Sequence, residues 1–472
     1  MIDKYPDFKE AAKRQNADVD RSKYSFNKEY IDLFKGKRYF IITHGCLANE
    51  RDSEIIGGIL EEAGFNKALN VENSDLIVVN TCAIRSGAED KVLGEIGALK
   101  RYKTNNPGLV ISMCGCMAQE EDVVNELKIK YRQIDVIFGT NNIHLLLDFL
   151  KEKYENDSRI IQIESGRGSV IEDLPDVRNS KYKALVNIMY GCNKFCTYCI
   201  VPYTRGQERS RKKEDILKEI IDLKNKGYKE INLLGQNVNA YGKDLKLGYD
   251  FSNLLEEVAK TGIDRIRFMT SHPWDFNDSM IEVIKKYSNI MPYIHLPLQS
   301  GSDDVLKKMN RSYDSKTYRE LFDKLKTNLP NFSFSTDIIV AFPGETEEDF
   351  NKTLEMVDYC KYDNAYTFIF SKRKGTRAYD MTDTLDEETK SKRLSILNEH
   401  VAHWANYNNM KFKDRIVEVL VDGPSKKDPT VLSGYSRENK LVNFKGDAKE
   451  GDVVEVLIDN PMSFSLNGVQ IK

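Results

Sequence analysis

The run ALVNIMYGCNKFCTYC (Ala184–Cys199) decides the reading of this 472-residue chain. Its first half is apolar and β-branched, the pattern of a buried strand. Its second half holds Cys192, Cys196 and Cys199 at C-x-x-x-C-x-x-C spacing, tight enough to set three thiolates around one inorganic centre. Three sulfur ligands at the end of a buried strand suit a [4Fe–4S] cluster with one iron left open. The competing readings are a zinc knuckle and three core cysteines. A structural zinc site takes four ligands, usually from paired C-x-x-C units, and the next cysteine downstream, Cys360, stands alone.

Working outward, the segment from about Tyr182 to Met410 repeats strand and helix six times. ALVNIMY is followed by EINLLG (Glu230–Gly235), RIRFMT (Arg265–Thr270), YIHLP (Tyr293–Pro297), FSFSTDIIVAF (Phe332–Phe342) and AYTFIF (Ala365–Phe370). Six units are too few for a closed eight-stranded barrel, so the expected form is an open (β/α)6 partial barrel. Its site should lie at the C-terminal strand ends, the face that carries the cysteine loop. Three other strand ends there suit an amino-acid-plus-nucleoside ligand: Gln236 and Asn237 in LLGQNVNAYG, Ser300 in HLPLQSGSDD, and the stretch from Asp337 to Gly344 in STDIIVAFPGETEED. Neutral amides can bond a zwitterion, and a helix N-terminus can seat an anionic group.

Upstream, RYFIIT (Arg38–Thr43), DLIVVN (Asp75–Asn80), LVISM (Leu109–Met113) and DVIFG (Asp135–Gly139) alternate with helical stretches, which predicts a parallel-sheet α/β domain. Cys46, Cys82 and Cys116 each follow one of the first three strands. Ligands of open α/β sheets gather at such ends, so three cysteines remote in sequence should meet at a second centre. Cys114 competes with Cys116 for the third place, because both have the same strand parity. Buried free cysteine is the bland alternative. Residues 1–35 read as a loosely structured, charged extension. From about Lys411 the pattern changes to short strands and close turns, which predicts a small all-β barrel of a kind that frequently binds RNA.

Composition sets the outer limits. A hydrophobic content of 40% with 30% charged residues suits a soluble globular protein. No apolar stretch reaches the ~20 residues of a membrane helix, and the polar start has no secretory h-region. The expected location is the cytoplasm, where eight cysteines serve as ligands or free thiols rather than disulfides. The net charge of −3 does not advertise a nucleic-acid binder. Two local basic clusters exist, RGQERSRKK (Arg205–Lys213) and SKRKGTR (Ser371–Arg377).

The cysteine loop, with aromatic Tyr198 before the last cysteine, resembles the signature of radical S-adenosylmethionine (SAM) enzymes. With GCNKFCTYCIVPYTRGQERSR, LLGQNVNAYG and HLPLQSGSDDVLKKMNRSY, the chain from Arg38 onward resembles the radical-SAM methylthiotransferase family. That resemblance implies domains at 36–153 (auxiliary cluster), 178–410 (radical SAM core) and 411–472 (similar to the TRAM domain). It implies two [4Fe–4S] clusters, one on Cys192, Cys196 and Cys199 and one on Cys46, Cys82 and Cys116. GCMAQ around Cys116 favours it over Cys114. It further implies SAM near Tyr198, Gln236, Asn237, Ser300, Asp337 and Gly344, used as both radical source and methyl donor.

The implied reaction is methylthiolation at C2 of N6-isopentenyladenosine beside the tRNA anticodon. Other members act on threonylcarbamoyladenosine or a ribosomal-protein aspartate. The implied partners are the tRNA anticodon loop, with Arg205, Arg209 and Arg211 on phosphates, and a flavodoxin- or ferredoxin-type reductant; no membrane is involved, and a monomer is compatible with all of this. His44, Leu47–Ala48 and SKRKGTR depart from the family pattern. A reading from another class is a nucleic-acid-binding protein with a structural metal and no turnover.

Overall fold

A computed structural model describes residues 8–13, 18–83, 86–164 and 168–471. The ends of the expected extension and of the barrel, residues 1–7, 14–17 and 472, lie outside the described residues. A short helix, Phe8–Lys13, precedes strand β1 (Asp20–Lys23). The apolar runs then form β2 (Arg38–Thr43), β3 (Asn66–Lys67), β4 (Leu76–Thr81), β5 (Val110–Gly115), β6 (Val136–Phe138) and β7 (Ile160–Gln162). These six build one parallel sheet in the order β3-β2-β4-β5-β6-β7. Every residue of β4 and β5 is buried, as expected of central parallel strands covered on both faces. The sheet includes β7, so it runs past residue 153.

The charged N-terminal segment differs from a loose extension. β1 pairs in parallel with β8 (Ser169–Glu172). Ala11 is buried against one face of the large sheet, while Phe34 is fully buried in the other, stacked on Phe65 at 5.1 Å. The aromatic side chains dispersed among the charges carry this packing.

The middle segment contains β9 (Lys183–Asn187), the short pair β10 (Met189–Tyr190) and β11 (Arg209–Ser210), then β12 (Glu230–Leu234), β13 (Arg265–Phe268), β14 (Tyr293–His295), β15 (Ser333–Val340) and β16 (Asn364–Ile369). The six long-range parallel strands form two three-stranded sheets, β9-β12-β13 and β14-β15-β16. An isolated parallel bridge, Ile266 to Ile290, joins the halves. One large apolar core runs through both, from Ala184 to Val401. The partial barrel is therefore present, with its ladder interrupted between β13 and β14.

The C-terminal segment is a closed barrel of β17 (Ile416–Pro424), β18 (Leu432–Ser436), β19 (Leu441–Lys445), β20 (Val453–Pro461) and β21 (Leu466–Gln470). It is fastened to the middle segment by buried charge. Glu230 accepts from Arg265 and Arg267, both at 2.9 Å, and those arginines donate onward to the carbonyls of Tyr435, Ser436 and Arg437. The first domain is fastened similarly. Arg51 on the helix Leu47–Glu62, Arg178 in the connecting segment and Arg211 after β11 all converge on Glu219. Glu54, Asp176 and Glu172 complete the network.

Candidate functional site

The first cysteine set is gathered by strand ends and locked by amides. Cys46 caps the N-terminus of the helix Leu47–Glu62 after β2, Cys82 follows β4, and Cys116 opens a 3₁₀ turn after β5. Asn49 in the first helical turn donates to Asn80 Oδ1 at 3.2 Å and to the Thr81 carbonyl at 3.0 Å. Asn80 returns a bond to the Asn49 carbonyl at 2.9 Å. This exchange ties the Cys46 turn to the end of β4. Gly45 comes so close that a Cβ there would stand 2.7 Å from Cys82 Cβ.

The structure separates Cys114 from Cys116, which alternation could not. Gly115 has φ 95° and breaks the strand parity. Cys114 therefore packs with Val78, Val110 and Val136 on one face of the sheet. Cys116 turns to the other face, among Ile111, Met113, Phe195, Ile200 and Tyr203. Phe195 and Ile200 flank Cys196 and Cys199, so the two cysteine sets meet through one apolar cluster.

The second set lies on a loop fixed at several points. The Cys192 amide donates to the Gly206 carbonyl at 3.1 Å, and the Asn193 amide to Glu208 at 3.1 Å. Thr197 bonds the carbonyls of Met309 and Lys308, and Asn310 donates to the Phe195 carbonyl. Phe195 takes φ 48°, a left-handed turn between Cys192 and Cys196. Arg311 Nη1 donates to Cys196 Sγ at 3.2 Å and approaches the Tyr198 hydroxyl at 3.5 Å. Tyr198 packs edge-on to Phe342. Burial pushes Cys192 well above the ordinary thiol range, with Glu208 adding to it. Burial, then Cys196, pushes Cys199 up to about 12.

The expected cofactor contacts divide. Asn237 donates to Asp275 at 2.7 Å, and Asp275 also pairs with Lys194 of the cysteine loop at 2.7 Å and with Lys243 at 2.6 Å. Asn237 thus stands beside the loop. Gln236 Oε1 is buried without a hydrogen-bond partner among the described residues, and Asp337 faces His295 at 3.3 Å. Ser300 differs: it is fully buried and engaged with Thr353 and the Ser302 amide, so it shapes the turn into the next helix. Gly344, φ 76°, offers its carbonyl to Lys308 at 2.8 Å. Thr346 and Asp349 form the expected capping box.

The basic cluster after the loop is not a phosphate surface. Arg205, Arg209 and Arg211 are 7%, 4% and 8% exposed. Arg205 pairs with Asp52 at 2.8 Å, Arg211 with Glu172 and Glu219 at 2.6 Å each, and Arg209 donates to the carbonyls of Arg205 and Gln207. Charge count alone does not distinguish a solvated basic run from one sealed between domains. In SKRKGTR, Arg373 is likewise buried and paired with Glu89, tying the middle segment to the first domain.

Arg311, Asp275 and Asp52 were missed by sequence reasoning. Arg311 lies in the run MNRSY and Asp275 in the strand-end segment SHPWD after β13, so position past a strand was the available signal for Asp275. A cavity of about 540 Å³ lies where the three segments meet, between Leu47 and Glu50, Asn232 and Tyr366, and Tyr435 and Phe464. The cysteine sets carry the chemistry-bearing groups, and Leu47 in the cavity wall adjoins Cys46.

None of the eight cysteines forms a disulfide. Among the described residues no three His, Cys, Asp or Glu side chains are gathered tightly enough for a single metal ion. A four-iron cluster distributes its ligands over separate irons and sets the sulfurs further apart. Two groups of three cysteines outside any disulfide, one set with the buried Arg205 and the other with the half-buried Arg311 beside a sulfur, fit such clusters in donor chemistry.

The Radical SAM superfamily matches residues 186–357, an uncharacterized protein family, UPF0004, residues 38–139, and the TRAM domain residues 411–470. The chain is 50% identical over 469 residues to a tRNA-2-methylthio-N(6)-dimethylallyladenosine synthase of Malacoplasma penetrans, covering 99% of this chain and 96% of that protein. The chain belongs to the tRNA-2-methylthio-N(6)-dimethylallyladenosine synthase family. A second member of this family, from Staphylococcus haemolyticus, is 48% identical over 98% of this chain and 91% of its own length. Among solved structures, a radical S-adenosylmethionine methyltransferase from Kitasatospora setae superposes with a TM-score of 0.53 at 11% identity, covering 73% of this chain and 77% of that one. That likeness concerns the fold alone. Membership of the radical SAM superfamily implies a [4Fe–4S] cluster and SAM. Among the described residues no helix is long and apolar enough to cross a membrane.

Proposed function

We propose that this chain is an enzyme that methylthiolates C2 of N6-isopentenyladenosine next to the tRNA anticodon. The observation that carries the reading is full-length kinship with synthases of that name, in a chain whose Cys116 shares one apolar cluster with Phe195 and Ile200 of the Cys192–Cys199 loop. Cys192, Cys196 and Cys199 hold one [4Fe–4S] cluster, and Cys46, Cys82 and Cys116 hold the other. When bound, the clusters and SAM supply the electron, the carbon radical, and the sulfur and methyl groups that an unactivated aromatic C–H requires.

The chain's own residues orient and shield. Tyr198, Gln236, Asn237 and Asp337 lie around the SAM position, with Asp275 holding Asn237 and the Cys192 loop in register. Phe195, Ile200 and Tyr203 close the space between the loops to water. The anticodon loop splays its base into the site, with the C-terminal barrel contributing grip. A flavodoxin- or ferredoxin-type carrier delivers the electron in the cytoplasm.

Mass spectrometry of tRNA nucleosides from cells lacking the protein tests this. Isopentenyladenosine should accumulate and its methylthio derivative vanish; an unchanged methylthio-isopentenyladenosine signal overturns the reading.

A further inference from the structure

Arg205 begins the run RGQERSRKK, six residues past Cys199, yet its guanidinium ends at the other cysteine set. The helical turn Val201–Thr204 packs on the 3₁₀ turn Cys116–Gln119 and carries Arg205 across the domain seam. There Arg205 Nη1 pairs with Asp52 Oδ2 at 2.8 Å, while the guanidinium lies against the Cys116 sulfur with Cys46 close by. Its Nη2 is buried without a hydrogen-bond partner among the described residues. A guanidinium has five donors in a fixed fork and cannot shed its charge. A buried donor without an acceptor costs about 1–3 kcal/mol, more when charged, so this geometry calls for an acceptor beside Cys116 and Cys46.

Resting on the two-cluster reading above, we infer that Arg205 tunes the auxiliary centre: its guanidinium donates to the sulfur shell at Cys116 and raises the one-electron reduction potential there. Reduction adds one negative charge to a cluster, and a fixed cation within hydrogen-bond reach stabilises that charge. Asp52 offsets part of this field from the far side and holds the fork in place. The loop that carries one cluster thereby sets the electron affinity of the other. Arg311 occupies the corresponding position on Cys196, so each set has its own cation.

The test uses the full-length chain with Cys192, Cys196 and Cys199 changed to Ala, reconstituted anaerobically with iron and sulfide, so that only the auxiliary centre titrates. Its midpoint potential is read by electron paramagnetic resonance during a dithionite titration. Arg205→Gln should lower the potential while about four irons per chain are retained; Arg205→Lys should stay near the parent. A parent-like potential in Arg205→Gln, or an equal shift in both variants, overturns the inference. Should Arg205→Gln fail to hold iron, Asp52→Asn decides: a raised potential supports the inference, and an unchanged or lowered one overturns it. A parent chain that takes up no iron overturns the two-cluster reading instead.

Discussion

At the scale of single residues, six cysteines are expected to act and two are not. Cys192→Ala should abolish SAM cleavage, read as 5′-deoxyadenosine formed under reductant. Cys82→Ala should spare that cleavage and stop methylthiolation. Equal loss of cleavage in both would contradict the division of labour. Cys114 and Cys360 are buried in apolar surroundings, away from their rivals. Cys114→Ala and Cys360→Ala should leave iron content unchanged and each cost about 1 kcal/mol in chemical denaturation. Much of this scale was legible in the sequence, because cysteine spacing and strand ends are local signals. The arginines were not: Arg205 and Arg211 read as solvent-facing, since what buries them arrives from Asp52 and Glu172, far away in the chain.

At the scale of elements, two glycines decide where sulfur points. Gly115 takes φ 95°, and a Cβ there would stand 2.2 Å from the Thr81 carbonyl oxygen. Gly191 takes φ 70°, and a Cβ there would stand 2.0 Å from the Gln207 carbonyl oxygen. Neither backbone oxygen can give way without disturbing its own strand or loop. Gly115→Ala should therefore reduce reconstituted iron from about eight to about four per chain while SAM cleavage persists, checked by iron assay beside 5′-deoxyadenosine analysis. The positions of β2, β4, β5 and β9 follow from apolar runs that the sequence displays openly. The split between β10 and β9, and the pairing of β1 with β8, do not, because strands of two to four residues gain their stability from partners rather than composition.

At the scale of the whole molecule, buried ion pairs join the three domains, and they carry a pH signature. Three arginines hold the Glu219 carboxyl at about 2, overcoming the burial that would raise it. A carboxylate depressed in the folded state stabilises above its ordinary value near 4.5 and loses that contribution as pH falls toward 2. Acid titration should accordingly loosen the contact between the first domain and the partial barrel, detected as hydrogen exchange or proteolysis in the segment around Arg178. Glu219→Ala should do the same at neutral pH, at a cost of about 3–5 kcal/mol from stranding the guanidinium groups.

The Glu230 clamp bears on how an RNA would be received. With Arg265 and Arg267 committed both to Glu230 and to carbonyls of the C-terminal barrel, that barrel is not a tethered arm free to swing. An incoming hairpin meets a preset jaw, and the bending needed to deliver its base falls on the nucleic acid.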